Sequence, residues 1–308
     1  MEQYLRPEFL KKGDTVAILA MASCPKPEAV KSEYWKNLLE SWGLKIKLGK
    51  HIFDVLPGDF AGTPADRASD IEEALKDPDV KAIISFRGGY GSMHTVSALD
   101  KSLFVRYPKW IVGFSDITIF HAMLGTRRIE SIHGAMPSLN PFGTEKDARI
   151  SEEALHDALF GTLTGYESGP HKYSRPGCAR GRLFGGNLAL MISTLGTPYE
   201  NHFDEDTILF IEDIDERMYT VDRMLNTLRE GGYLKRIKGL IVGQFTDIGG
   251  QDEWQRKVLD LIDDYTKDLD KPVLYGFSCG HEHPNYSLYE GREVELKVDA
   301  SGGSLKFL

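Results

Sequence analysis

Cysteine is scarce in this chain: Cys24, Cys178 and Cys279 are the only three in 308 residues. An odd number at these wide spacings matches neither a zinc site nor a redox pair, which excludes a disulfide framework and fits a reducing cytosol. Long apolar runs are missing as well. None approaches the roughly 20 residues a membrane-spanning helix needs, and the opening MEQYLRPEFLKKGD is too acidic and too broken for a signal or transit peptide. Basic clusters are absent. Lys plus Arg number 37 against 46 for Asp plus Glu, a net charge of −9, so neither nucleic acid nor a membrane is expected as a partner. There is no internal repeat and no low-complexity tract.

What is present alternates. DTVAILA (14–20), VKAIISF (80–86) and KWIVGF (109–114) read as short buried strands, separated by stretches with apolar residues at helical spacing, such as Tyr34, Leu38, Leu39 and Trp42. Strand and helix in alternation predict a parallel sheet covered on both faces. GTLTGYESGPHKYSRPGCARG, rich in Gly, Pro and Ser, reads as a linker. The predicted organisation is a domain over 1–165, a linker over 166–181 and a second domain over 182–308. That second part holds a strand TILFIED, a helix from about Val221 to Glu230, a strand KGLIVGQF, and two terminal strands, REVELKV and GSLKFL, turned at ASGG.

Three places could carry chemistry. FRGGYGS, Phe86 to Ser92, ends the strand AIISF. Its glycines permit positive φ and close approach of the backbone to a ligand, and successive N–H groups could cradle an anion. No Gly-Lys-Ser/Thr follows, so it is not a phosphate loop of the Walker kind; a tight turn with no ligand is equally compatible. GFSDITIFHAM places Ser115 where a strand gives way to a helix. Gly113 two residues earlier permits a sharp turn like a nucleophile elbow, although Ile117 stands where the second glycine of G-x-S-x-G would be. A serine there also suits a helix N-cap, and Asp116 suits the first helical turn.

A nucleophilic serine needs a base, and the base an orienting acid. Of nine histidines, His121 is expected to pack within a helix and His133 could border the site. His281 and His283 lie in a loop after the strand PVLYGF, where an α/β sheet presents functional groups. As a pair they could instead hold a metal, but no third ligand is evident. In IEDIDER, Glu212 is still on the strand. Asp213, Asp215 and Glu216 are expected in a solvated loop, and the four carboxylates leave magnesium open on spacing alone.

Taken in order, GDTVAILA, FAGTPADRASDI, FRGGYGS, YPKWIVGFSDIT, HGAM, GGNLALMISTLGTPY, LFIEDIDERMYTVDRML, GLIVGQF and GFSCGH resemble the L,D-carboxypeptidase family of serine peptidases, which includes muramoyl-tetrapeptide carboxypeptidases and microcin C self-immunity proteins. The resemblance implies an N-terminal flavodoxin-like domain and a smaller C-terminal α/β domain with the site in the cleft between them. It implies a cytosolic enzyme with no metal or cofactor, often a homodimer. The catalytic residues would be Ser115, Glu212 and His281. Backbone N–H groups of Gly89 and Asp116 would stabilise the oxyanion. Arg87 and Gly88 fall to substrate binding, the arginine meeting an anionic group or forming a structural salt bridge. The substrate would be a small peptide: a murein tetrapeptide that loses its terminal D-alanine, or alternatively an aminoacyl-nucleotide toxin. A non-catalytic two-lobe binding protein is the reading from another class. The chain departs from the family at AMASCP and at EHPNYSLYEG after His281; both are expected to line the substrate site.

Overall fold

The apolar run TVAIL becomes β1 (Thr15–Leu19), buried along its length except at its first residue. In this computed structural model residues 4–27, 29, 33–137, 146–200, 205–250 and 257–308 are described. β1 pairs in parallel with β2 (Lys45–Leu48) and β3 (Val80–Ser85). Next come β4 (Trp110–Gly113) and β5 (Ser131–His133), also parallel. Leu288–Glu290, numbered β11 in chain order, closes the edge beyond β5. The order β5-β4-β3-β1-β2 is that of a flavodoxin-like doubly wound sheet, as expected. Ile18, Ile83, Ile84, Ile111 and Val112 are fully buried or nearly so, which is why these strands read as continuous apolar runs rather than as alternating ones.

The helices of this unit are α1 (Tyr34–Ser41), α2 (Pro64–Lys76), α3 (Ser92–Ala98), α4 (Ser102–Arg106), α5 (Thr118–Gly125) and α6 (Lys146–Phe160). The sequence TPAD starts α2 by a capping box. The Thr63 hydroxyl accepts the Asp66 N–H, the Asp66 carboxylate accepts the Thr63 N–H, and Pro64 occupies the first turn, where its missing N–H costs nothing.

The second unit is built on a seven-stranded sheet. Its strands are β6 (Gly165–Ser168), β7 (Gly177–Asn187), β8 (Thr207–Ile214), β9 (Gly239–Thr246), β10 (Val273–Tyr275), β12 (Glu293–Asp299) and β13 (Gly302–Phe307). β7, β8, β9 and β10 are parallel, whereas β12, β13 and β6 extend the sheet antiparallel beyond β7. The helices α7 (Leu188–Thr194), α8 (Met218–Glu230), α9 (Tyr233–Arg236) and α10 (Val258–Thr266) complete it. Leu209, Ile211, Leu240 and Val242 pack with Leu225 and Ile262 in one apolar cluster. Burying each such side chain stabilises the fold by roughly 1.5–3 kcal/mol.

Two expectations change here. The stretch predicted as a linker, 166–181, contains most of β6 and the first half of β7, and the two units divide between Leu163 and Thr164. Glycines at its two ends reflect crowding rather than freedom. A Cβ at Gly165 would meet the Leu305 carbonyl oxygen, and one at Gly181 the Asp206 carbonyl oxygen, each at 2.3 Å. In addition, the second part is not continuous: His283–Tyr289 belongs with the first unit. There the Asn285 N–H donates to Ser151 Oγ at 2.8 Å and the Tyr289 hydroxyl donates to the Ala158 carbonyl at 2.7 Å. The segment after His281 thus packs Asn285, Ser287 and Tyr289 into buried positions. The terminal hairpin turns as expected, with Asp299 paired to Gly302.

Candidate active site

In the first unit two adjacent parallel strands, β3 and β4, end side by side and each releases a turn into a helix. After β4, Phe114 leads into a 3-10 turn, Ser115–Ile117, which runs on into α5. Ser115 has φ 61°, the left-handed region that costs a side-chain-bearing residue roughly 1–2 kcal/mol. It is partly exposed while its neighbours Phe114 and Asp116 are buried. A strained, presented serine on a strand–turn–helix corner is the geometry of a nucleophile elbow. The departure at Ile117 has a structural account: a Cβ on Gly113 would meet Ile117 Cγ1 at 2.9 Å. The isoleucine fills the space that Gly113 leaves.

His121 packs in α5 as expected and also holds the corner. Its Nε2 donates to the Gly113 carbonyl at 2.9 Å, and Nδ1 accepts from Ser131 Oγ at 2.8 Å. Full burial pushes its pKa down to about 4, so the ring is neutral at pH 7. His133 is also fully buried, its ring 5.7 Å from that of Phe114.

After β3 comes RGGYGS. Gly88 lies against the serine: a Cβ there would stand 3.1 Å from Ser115 Cβ, 3.2 Å from the Asp116 nitrogen and 3.3 Å from Ser115 Oγ. Gly89 faces Ser23 instead, where a Cβ would come within 2.4 Å of Oγ. Of the four residues assigned to oxyanion and substrate, Gly88 and Asp116 therefore crowd the serine, and Gly89 turns toward the first loop with φ 94°. Arg87 donates from Nη1 to the Cys24 carbonyl at 3.1 Å, a tie to the AMASCP loop rather than a salt bridge. The Asp116 carboxyl is buried, which raises its pKa, and it accepts the Ser92 N–H at 2.8 Å.

In the second unit Glu212 lies near the C-terminal end of β8 and is fully buried. Its Oε2 is 2.8 Å from His281 Nδ1, and the His281 side chain is only 10% exposed. Gly280 makes this approach possible. A Cβ at its φ of 135° would press on Gln244 at 3.0 Å and on Glu212 Cβ at 3.2 Å. Gln244 sets the loop: its N–H donates to the Cys279 carbonyl at 2.8 Å and its Oε1 accepts the Glu282 N–H at 2.9 Å. Gln244 lies outside the sequence-based expectation, although a polar residue near the C-terminal end of a parallel strand, as in GLIVGQF, is the signal that marks such a position.

Asp213 corrects the expectation of a solvated acid. It is 1% exposed, and accepts from Asn187 Nδ2 at 2.8 Å and from the Ala189 N–H at 3.0 Å. Successive strand residues point to opposite faces, and both faces of this parallel sheet are covered, so Glu212 and Asp213 are both buried. Burial first, then the Glu212 charge, pushes Asp213 up to about 7. Burial likewise raises the Cys279 thiol well above its ordinary value, leaving it uncharged. The histidines considered as a metal pair have separate partners: His283 Nδ1 is 3.2 Å from Ser151 Oγ. Among the described residues no group of three or more His, Cys, Asp or Glu side chains is arranged to hold a metal ion. No described helix is long and apolar enough to cross a membrane.

Comparison with known proteins covers both units. The LD-carboxypeptidase N-terminal domain matches residues 16–134 and the LD-carboxypeptidase C-terminal domain residues 180–296. A Bacillus subtilis (strain 168) protein named "Probable murein peptide carboxypeptidase" is 35% identical over 297 residues, 95% of this chain and 92% of the relative. The Escherichia coli protein named "Microcin C7 self-immunity protein MccF" is 26% identical over 94% of this chain and 92% of its own length. The crystal structure of a muramoyltetrapeptide carboxypeptidase from Oxalobacter formigenes superposes with a TM-score of 0.84 at 27% identity, covering 95% of this chain and 98% of that one.

Proposed function

The chain belongs to the LD-carboxypeptidase family, and on that premise we propose that it is a serine carboxypeptidase that hydrolyses an L,D peptide bond, releasing the terminal D-alanine of a murein tetrapeptide in the cytosol. The observation that carries the mechanism is the buried Glu212 carboxylate 2.8 Å from His281 Nδ1. A carboxylate there fixes the tautomer with a proton on Nδ1 and directs Nε2 toward proton transfer.

His281 takes the Ser115 hydroxyl proton as Oγ attacks the scissile carbonyl. The tetrahedral intermediate collapses with that proton passing to the leaving amine of D-alanine. Water, deprotonated by the same imidazole, then releases the acyl group and restores the serine. Glu212 stabilises the imidazolium in both halves. Backbone N–H groups of Asp116 and of the Gly88–Gly89 segment are the proposed oxyanion donors, each contributing roughly 3 kcal/mol. Arg87 and Gly88 are assigned to substrate binding, with the Arg87 nitrogens other than Nη1 available to an anionic group. No step needs a metal or cofactor. A homodimer accompanies this reading on the family likeness alone.

Similarity to the microcin self-immunity protein favours a second substrate class, an aminoacyl-nucleotide amide. Mass spectrometry after incubation with murein tetrapeptide and, separately, with an aminoacyl-sulfamoyl adenosine decides between the two. Loss of D-alanine from the first and an unchanged second is the expected result. Cleavage of the second alone would transfer the assignment to the toxin amide, and cleavage of neither would leave a binding protein.

A further inference from the structure

Asp116 is a carboxylic acid at 2% exposure, directly after Ser115. Burying a carboxyl without partners is costly, so its contacts indicate what it is for. Oδ2 accepts the backbone N–H of Ser92 at 2.8 Å. Ser92 both ends the glycine-rich loop and begins α3. The loop is held along the rest of its length too. The Ser85 hydroxyl donates to the Arg87 carbonyl at 2.8 Å, Ser23 Oγ accepts the Tyr90 N–H at 3.0 Å, and Arg67 Nη2 donates to the Gly91 carbonyl at 3.4 Å. Arg67 is itself buried and braced, with Nε donating to Thr95 Oγ1 at 2.7 Å and Nη1 to the Gly62 carbonyl at 2.7 Å. Of these ties, only the one through Asp116 ends on the turn that carries the serine.

We infer that the Asp116 side chain is a positioning clasp, which ties the loop Gly88–Ser92 to the elbow and so holds the loop's backbone N–H groups at a fixed place beside Ser115 Oγ. The inference rests on the reading of Ser115 as the nucleophile. Asp116 then acts twice: its own N–H lies where a Cβ on Gly88 would be 3.2 Å away, and its carboxyl restrains the segment that supplies the second donor. Oxyanion donors act through pre-set geometry and must hold within about 0.5 Å. Two flexible turns joined only by van der Waals contact would not meet that tolerance. Burial raises the carboxyl while the Ser92 N–H and the Arg67 charge oppose that rise. The role asks only for an accepting oxygen, which either protonation state and an amide all provide.

The test compares Asp116→Asn with Asp116→Ala by kcat and KM on the tetrapeptide, by the rate at which a fluorophosphonate labels Ser115, and by thermal unfolding. Asp116→Asn keeps the acceptor and is expected to recover at least about tenfold of the kcat that the alanine variant loses. Asp116→Ala is expected to lose about 10²-fold in kcat, with KM within about threefold and labelling slowed in parallel, while remaining folded at the assay temperature. Should the alanine variant not fold, Asp116→Leu fills the space without the acceptor and is read in the same way. Wild-type kcat in the folded Ala or Leu variant, an Asn variant as impaired as Ala, or a loss carried by KM would each overturn the clasp. Failure of the wild-type enzyme to be labelled at Ser115 would instead overturn the nucleophile, a separate result.

Discussion

The Glu212 carboxylate and the His281 imidazole meet at 2.8 Å through Oε2 and Nδ1, and the acid is wholly buried behind the histidine. The contact spans 69 residues of sequence, and parallel strands β8, β9 and β10 bring it together by ending on the same edge of the sheet.

Removing either partner should damage turnover unequally. His281→Ala is expected to lower kcat/KM by about 10⁴-fold or more, and Glu212→Gln by about 10³-fold, since the amide keeps a hydrogen-bonding group but lacks the charge that supports the imidazolium. His283→Ala, which loses the contact with Ser151, should chiefly alter stability. Steady-state kinetics on the three variants check the assignment; an inactive His283 variant beside an active His281 variant would reverse it.

Ser115 is expected to trade stability for reactivity. Ser115→Ala should lose on the order of 10⁴-fold in kcat. Ser115→Gly should be equally inactive yet more stable by about 1 kcal/mol, because glycine occupies φ 61° without strain. Urea unfolding of the two variants against wild type measures the difference, and equal or lower stability for glycine would deny the strain. Activity should persist in EDTA.

Gly88→Ala tests the crowding beside the serine. The added methyl would sit 3.1 Å from Ser115 Cβ and 3.3 Å from Oγ, so kcat should fall about 10²-fold by displacement of the hydroxyl. Thermal unfolding should change little, since the loop is partly open at Arg87 and Tyr90. Wild-type kinetics in this variant would show that the loop yields freely.

Acid should loosen the elbow. His121 has its pKa lowered by burial to about 4 in the folded protein, whereas in the unfolded chain it is near 6.5. The unfolded chain therefore binds more protons between these values. The contribution is fully present above about pH 6.5 and is lost as pH falls toward 4, about 3 kcal/mol in all. Denaturant titrations at pH 7, 5.5 and 4 should show this slope in wild type. It should be missing in His121→Gln.

Much of this was legible because buried parallel strands announce themselves. TVAIL, VKAIIS and WIVG are mostly apolar and do not alternate, and the Gly113–Ser115 spacing marks the corner. The errors share a different cause. Glycine at 165, 177 and 181 reports either flexibility or the near approach of another part of the chain, and composition does not separate the two; only the neighbours Leu305, Pro272 and Asp206 do. Asp213 was misplaced for a related reason. A polar residue reads as exposed until the layer covering its face is known. Gln244 works through partners 35 and 38 residues away in sequence and Asp116 through one 24 residues away, and no local pattern records such pairings.

The stretch His283–Tyr289 has a consequence for how the protein is made. Tyr289 is fully buried in the first unit, with its ring 5.6 Å from Trp110 and 6.1 Å from Phe9, and β11 closes the sheet beside β5. Nascent domains usually fold in the order they leave the ribosome. Here the strands and helices up to Leu163 emerge with one sheet edge uncovered and a gap where Tyr289 belongs, and the second unit must be translated before either is filled. The newborn first unit thus waits, with an open β5 edge able to pair with other chains. Expression of residues 1–163 alone would make that wait permanent.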